Sequence, residues 1–123
     1  MKFYFNINNI NVGYIDYHSI NNSSVYIDYI CIYQQYRGNT YSTQMFKQFK
    51  KYVNVNEIRL EAKEDMSRYN KLFNLYKSWN FEPTNITNFY SDSNKTYRKK
   101  LFILKNTSKY KNKYSDTMSY SSI

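Results

Sequence analysis

The first third of the chain alternates in the manner of β-strands. "KFYFNI" (Lys2–Ile7) and "NVGYIDYHSI" (Asn11–Ile20) are β-rich alternating runs, and Asn8–Asn9 between them is turn chemistry. The pair predicts a hairpin. "NNSS" (Asn21–Ser24) marks a second turn, and "VYIDYICIY" (Val25–Tyr33) follows as the most apolar run, with Asp28 as its one charged residue. Such a strand is expected at the centre of a sheet, covered on both faces.

After Gly38 the period lengthens. Met45, Phe46, Phe49, Tyr52 and Val53 recur at helical spacing with lysines and glutamines between them, which predicts an amphipathic helix of about three turns. "EIRLEAK" (Glu57–Lys63) alternates again, with Ile58, Leu60 and Ala62 on one face. In "SRYNKLFNLYKSWNF" (Ser67–Phe81) the positions Tyr69, Leu72, Phe73, Tyr76 and Trp79 predict a second helix. Ser67 is its expected N-cap, Asn80 its left-handed exit, and Pro83 its stop. "TNITNFY" (Thr84–Tyr90) and "TYRKKLFIL" (Thr96–Leu104) predict two closing strands. Residues 106–123 show neither periodicity nor bulk and are expected to form a polar, disordered tail behind one domain spanning 1–105. There are no internal repeats.

The order β-β-β-α-β-α-β-β predicts a mixed α/β (α+β) domain with a mostly antiparallel central sheet. The strand–helix–strand segment from Val25 to Lys63 implies one parallel pair joined by a right-handed crossover. Ligands of such sheets lie at the carboxyl ends of the strands, beside helix N-termini. Gly38 is at that place.

Composition sharpens the picture in three ways. Sixteen tyrosines and eight phenylalanines carry core duties that leucine or valine carries elsewhere, so a mean hydropathy of −0.82 is compatible with a packed chain. A single cysteine, Cys31, excludes an intramolecular disulfide and a multi-cysteine zinc site, and no residue cluster suggests a metal. No apolar run approaches the roughly 20 residues that span a bilayer, and no signal-peptide layout opens the chain, so a cytoplasmic, reducing location is expected. The net charge of +9 admits an anionic partner, nucleic acid included. Eight of the eighteen basic residues lie from Lys95 onward, and this favours a solvated lysine-rich strand and tail over a binding stripe.

The stretch "QYRGNTYS" (Gln35–Ser42) carries the candidate chemistry. A helix N-terminus has free N–H groups and a partial positive charge, so amides from Arg37 through Thr43 can hold a phosphate. The Arg37 guanidinium and the hydroxyls of Thr40 and Ser42 would assist. The plainer reading is that Gly38 only turns the chain.

Strand, then "IYQQYRGNTYS" (Ile32–Ser42), then helix resembles the acetyl-CoA loop of the GNAT superfamily of N-acetyltransferases, V-x-P-x-x-R-G-x-G-x-G/A. "LYKSWNFEP" (Leu75–Pro83) is similar to that family's LYxKxGFEP at the end of its second conserved helix. The resemblance covers about Lys2 to Asn106. It lacks the strand and two helices with which members begin, so the acceptor site is either open or covered by a second subunit, as in a homodimer. Thr40 and Ser42 stand where the family has glycine and Gly or Ala. A side chain at position 40 crowds the diphosphate or donates a hydroxyl to it.

The resemblance implies direct attack of an acceptor amine of unknown identity on the thioester of acetyl-CoA. It implies cofactor contacts by the backbone of Ile30 and Ile32, by Arg37, Gly38, Asn39, Thr40, Tyr41, Ser42 and Thr43, and by Asn70. Ile32's amide would hold the thioester oxygen as the parallel strands splay apart. Tyr76 falls at the general-acid position, although a tyrosine there also reads as ordinary helix core. Asp28, raised in pKa by burial, is the candidate base; its plainer reading is a solvated strand residue. Cys31 is expected to face away from Asp28, and His18 to be a surface residue. The alternative function is a catalytically degenerate fold that binds protein or nucleic acid.

Overall fold

The structure is a computed structural model that describes residues 1–65 and 70–105. Ser67, Tyr69 and the tail from residue 106 therefore lie outside the described residues. The elements are β1 (Lys2–Ile7), β2 (Ile10–Asn21), β3 (Ser24–Ile32), a 3₁₀ turn (Gln34–Tyr36), α1 (Tyr41–Val53), β4 (Glu57–Asp65), α2 (Lys71–Ser78), β5 (Glu82–Asp92) and β6 (Lys95–Lys105). The strands form one mostly antiparallel sheet in the order β1-β2-β3-β4-β6-β5, with β3 and β4 as its parallel pair. The described residues divide into two compact units, Met1–Ile58 with Lys105, and Arg59–Leu104.

In the first unit β1, β2 and β3 form an antiparallel meander. Asn8 and Asn9 turn the first hairpin with φ of 50° and 67°, the doubly left-handed geometry that suits a two-residue hairpin loop. Phe5, Ile15, Tyr17, Val25 and Ile27 supply the buried strand side chains, and Met45, Phe46 and Phe49 supply those of α1. The Phe3 and Tyr17 rings meet Phe49 at 5.6 and 5.1 Å. These aromatic edges do the packing expected of the tyrosine-rich composition.

Two bulges shape this meander. Between β1 and β2 the register shifts so that Val12 is the extra residue beside Gly13. A Cβ on Gly13 would stand 2.3 Å from the Cys31 carbonyl oxygen, so only glycine allows the strands this approach. Between β2 and β3, Asp16 opposes Tyr29 while Tyr17 opposes Ile27, which leaves Asp28 as the extra residue. The expectation that β3 is covered on both faces is corrected here. Only its inner face is packed, and Asp28 and Tyr29 are exposed.

In the second unit α2 buries Tyr76, with Trp79 beyond its end, in a core that includes Phe81 and Phe102. The helix ends as the sequence predicts, with Asn80 at φ 70°. The Phe81 amide donates to the Tyr76 carbonyl and the Asn80 amide to the Lys77 carbonyl, both at 3.0 Å. The residue before its described start is Asn70, also left-handed, at φ 68°. No helix among the described residues is long and apolar enough to cross a membrane.

Candidate active site

The first unit builds the loop behind β3. One 3₁₀ turn is closed by the Tyr36 amide on the Tyr33 carbonyl (2.9 Å) and the Arg37 amide on the Gln34 carbonyl (3.2 Å). Gly38 then takes φ +88°, and a Cβ built on it would meet nothing within 4 Å. Its glycine is required by conformation, and the space above it is open. Asn39 Nδ2 donates to the Tyr36 carbonyl at 3.2 Å, which fixes the loop from within.

No side chain caps α1 and no acidic residue lies in its first turn. Thr40 is exposed, and its hydroxyl oxygen accepts from Gln44 Nε2 at 2.9 Å instead of taking a first-turn amide. The positive end of this helix is therefore not neutralised by a carboxylate. Arg37 Nε donates to the Ile32 carbonyl at 2.7 Å, which ties the guanidinium to the end of β3.

The β3 ladder also sets where its backbone groups point. The Tyr33 amide donates to the Val12 carbonyl at 3.0 Å, while Gly13 opposes Ile32 and Ile15 opposes Ile30. Hydrogen-bonded and non-bonded pairs alternate in an antiparallel ladder, so Ile32 and Ile30 occupy the non-bonded positions toward β2. Their N–H and C=O groups are directed to the other edge of the strand. That edge is the one next to β4 in the strand order, and there the Ile32 carbonyl takes Arg37 Nε.

Asp28 differs from expectation. The bulge removes it from the packed face, and its side chain is 42% exposed. Asp28 Oδ2 lies 2.8 Å from His18 Nδ1, and the His18 ring stacks on Tyr26 with centroids 5.4 Å apart. The same bulge resets the alternation, so Cys31, opposite Tyr14, shares the Asp28 face instead of opposing it.

In the second unit Tyr76 is 8% exposed, with the rings of Trp79 at 5.6 Å and Phe102 at 5.9 Å. Burial, and then the negative charge of Glu64, push its phenol up to about 12. It stays protonated at neutral pH and so has a proton to donate. Asn70 is committed elsewhere than expected. Its amide donates to Glu64 Oε2 at 3.0 Å and its Oδ1 accepts from Arg98 Nη2 at 3.1 Å. Glu64 also takes the Phe73 amide at 2.7 Å and Arg98 Nη2 at 3.1 Å. A buried carboxylate therefore satisfies the start of α2, and Asn70 serves that network.

Sequence reading passed over Glu64 and Arg98, although their parity carried a signal. Ile58, Leu60, Ala62 and Glu64 share one face of β4, and Arg98, Phe102 and Leu104 share one face of β6. A carboxylate and a guanidinium on two apolar faces call for each other.

The order and pairing of these strands and helices is the fold of the GNAT acetyltransferases. It is similar to the ribosomal-protein-S18-alanine N-acetyltransferase from Escherichia coli, with a TM-score of 0.71, 13% identity, and coverage of 85% of this chain and 68% of that one. A GNAT family acetyltransferase from Elizabethkingia anophelis with acetyl-CoA bound gives 0.65 at 12% identity, covering 85% and 74%. Arabidopsis thaliana NAA60 in complex with a bisubstrate analogue gives 0.61 at 15% identity, covering 78% and 65%. No model of a protein family matches the sequence, and no curated protein matches it. At these identities the likeness is one of fold.

Proposed function

We propose that the chain is an N-acetyltransferase that moves an acetyl group from acetyl-CoA to a primary amine by direct attack. The observation that carries this reading is the α1 N-terminus, free of a capping side chain behind an open Gly38, at the end of a strand whose Ile30 and Ile32 backbone groups point away from β2. The residues fit a diphosphate. Amides from Gly38 through Ser42 with the Thr40 and Ser42 hydroxyls would hold it, and the Arg37 guanidinium would add charge. Ile30 and Ile32 would pair with the pantetheine arm, and Ile32's amide with the thioester oxygen.

Tyr76 is proposed as the proton donor to the departing thiolate, a role that suits a phenol held protonated. The E. anophelis protein carries acetyl-CoA and the E. coli protein acetylates an alanine, and this likeness supports the cosubstrate and the acceptor class by analogy. The acceptor is an amine of unstated identity: a protein, a polyamine-like molecule or a small molecule. Thr40, in place of a motif glycine, favours a second reading as a binding module without catalysis.

Thiol release from acetyl-CoA in the presence of a pool of peptides with free N-termini and lysines separates the two. Transfer requires release above the protein-free rate, and Tyr76→Phe should lower it about 10²- to 10⁴-fold with acetyl-CoA affinity kept. Equal loss of rate and affinity would reduce Tyr76 to a packing residue.

A further inference from the structure

The two faces of the β1–β3 meander are finished differently. On one, α1 packs against Phe3 and Tyr17. On the other, the ring of Tyr14 in β2 meets Tyr4 of β1 at 6.2 Å, Tyr29 of β3 at 6.0 Å and Tyr33 just past β3 at 6.2 Å. Lys2 Nζ lies 4.7 Å from the centre of the same ring. Tyr4 and Tyr29 are 53% and 56% exposed. Tyrosines gathered at the middle of an exposed patch are the composition of a protein–protein contact.

The charges around this patch select its occupant. They are Lys2 on β1, Asp16 on β2 and Asp28 on β3, with His18 held by Asp28 at 2.8 Å. The face therefore does not share the chain's net charge of +9. A polyanion would meet two carboxylates here, whereas another copy of this chain, repelled elsewhere by like charge, is not repelled here. We propose that this face is a self-association surface on which two copies of the chain pair around Tyr14.

The strand register shows how the copies fit. Across β1 and β2, Lys2 opposes Asp16 and Tyr4 opposes Tyr14; across β2 and β3, Tyr14 opposes Cys31 and Asp16 opposes Tyr29. A twofold axis along β2 lays Tyr14 on the other copy's Tyr14 and sets β1 over the other copy's β3. Lys2 then comes to the other copy's Tyr29, next to its Asp28, and the symmetry makes this contact twice. The face is three strands wide and as long as the nine residues of β3, about 450 Å² in plan. That is under the roughly 800 Å² per partner of a stable complex, so the dimer is reversible, with micromolar affinity. The pairing is independent of the transferase chemistry.

Sedimentation equilibrium of the intact chain, from micromolar to millimolar concentration, tests it. Maleimide labelling of the chain's one cysteine is the second readout, because Cys31 lies on this face. The wild type should dimerise, and its labelling rate should fall as concentration rises. Tyr14→Ser should weaken the dimer at least about tenfold and make labelling independent of concentration, with its urea midpoint showing that it is folded. Lys2→Glu should also weaken the dimer, and adding Asp28→Lys should recover it, since the exchanged charges meet again across the axis. A wild type that stays monomeric at millimolar concentration overturns the proposal, as does a Tyr14→Ser chain that dimerises like the wild type. A dimer whose Cys31 labels at an unchanged rate places the contact elsewhere and overturns it too. Binding of single-stranded poly(U) by a monomer, lost in Tyr14→Ser, would assign the face to nucleic acid and equally overturn it.

Discussion

At the residue scale the two glycines answer different constraints, and substitution separates them. Gly13→Ala drives a Cβ to 2.3 Å from backbone, while Gly38→Ala meets only open space at φ +88°. Gly13→Ala should therefore cost about 2–3 kcal/mol by overpacking, read as a lower urea midpoint. Gly38→Ala should cost about 1–2 kcal/mol through its left-handed backbone alone. Glu64 carries more. Glu64→Gln leaves a nearly buried Arg98 without its carboxylate and should cost about 3–5 kcal/mol. Tyr76 gives the alkaline signature. Its phenol titrates near the ordinary 10 when unfolded and at about 12 when folded. As pH rises above 10 the unfolded chain loses its proton first, so stability falls through the 10–12 window, by about 2–3 kcal/mol at two units. Tyr76→Phe should lose less stability than the wild type between pH 8 and pH 11 in urea unfolding. An identical loss would mean the phenol is not buried as described.

At the element scale the account turns on how two strands and one helix end. Local chemistry made several boundaries legible, since Asn8–Asn9 and Asn80 punctuate the chain where the structure does, whereas Pro83 lies inside β5. The β3 bulge was not legible. Alternation within "VYIDYICIY" contains no local mark of an extra residue, because a bulge is a property of two strands in register. That omission misplaced Asp28 and Cys31 together. The Glu64 carboxylate that takes the Phe73 amide of α2 was hidden for a similar reason, as it lies on a strand. For α1 the helix end makes a prediction of opposite signs. Ser42→Asp adds a carboxylate to an uncapped first turn and should stabilise the fold by about 0.3–1 kcal/mol. The same charge repels a diphosphate and should weaken acetyl-CoA binding at least about tenfold. Parallel thermal melts and titrations would show it; unchanged affinity would place the diphosphate elsewhere.

At the scale of the whole molecule, the strand and helix order and the parallel crossover are both readable from periodicity, and the fold agrees with them. The turn at Gly38 was readable as a turn, whereas the surroundings of Asp28 and Asn70 were not, because tertiary contacts re-aim those side chains. The central claim is therefore a backbone claim: main-chain donors at the entry to α1 hold an anionic cosubstrate. Calorimetric titration of the intact chain with acetyl-CoA tests it most directly. The account predicts one site at micromolar affinity, weakened by Ser42→Asp and left in place by Tyr76→Phe. No heat and no saturation at millimolar acetyl-CoA would contradict it.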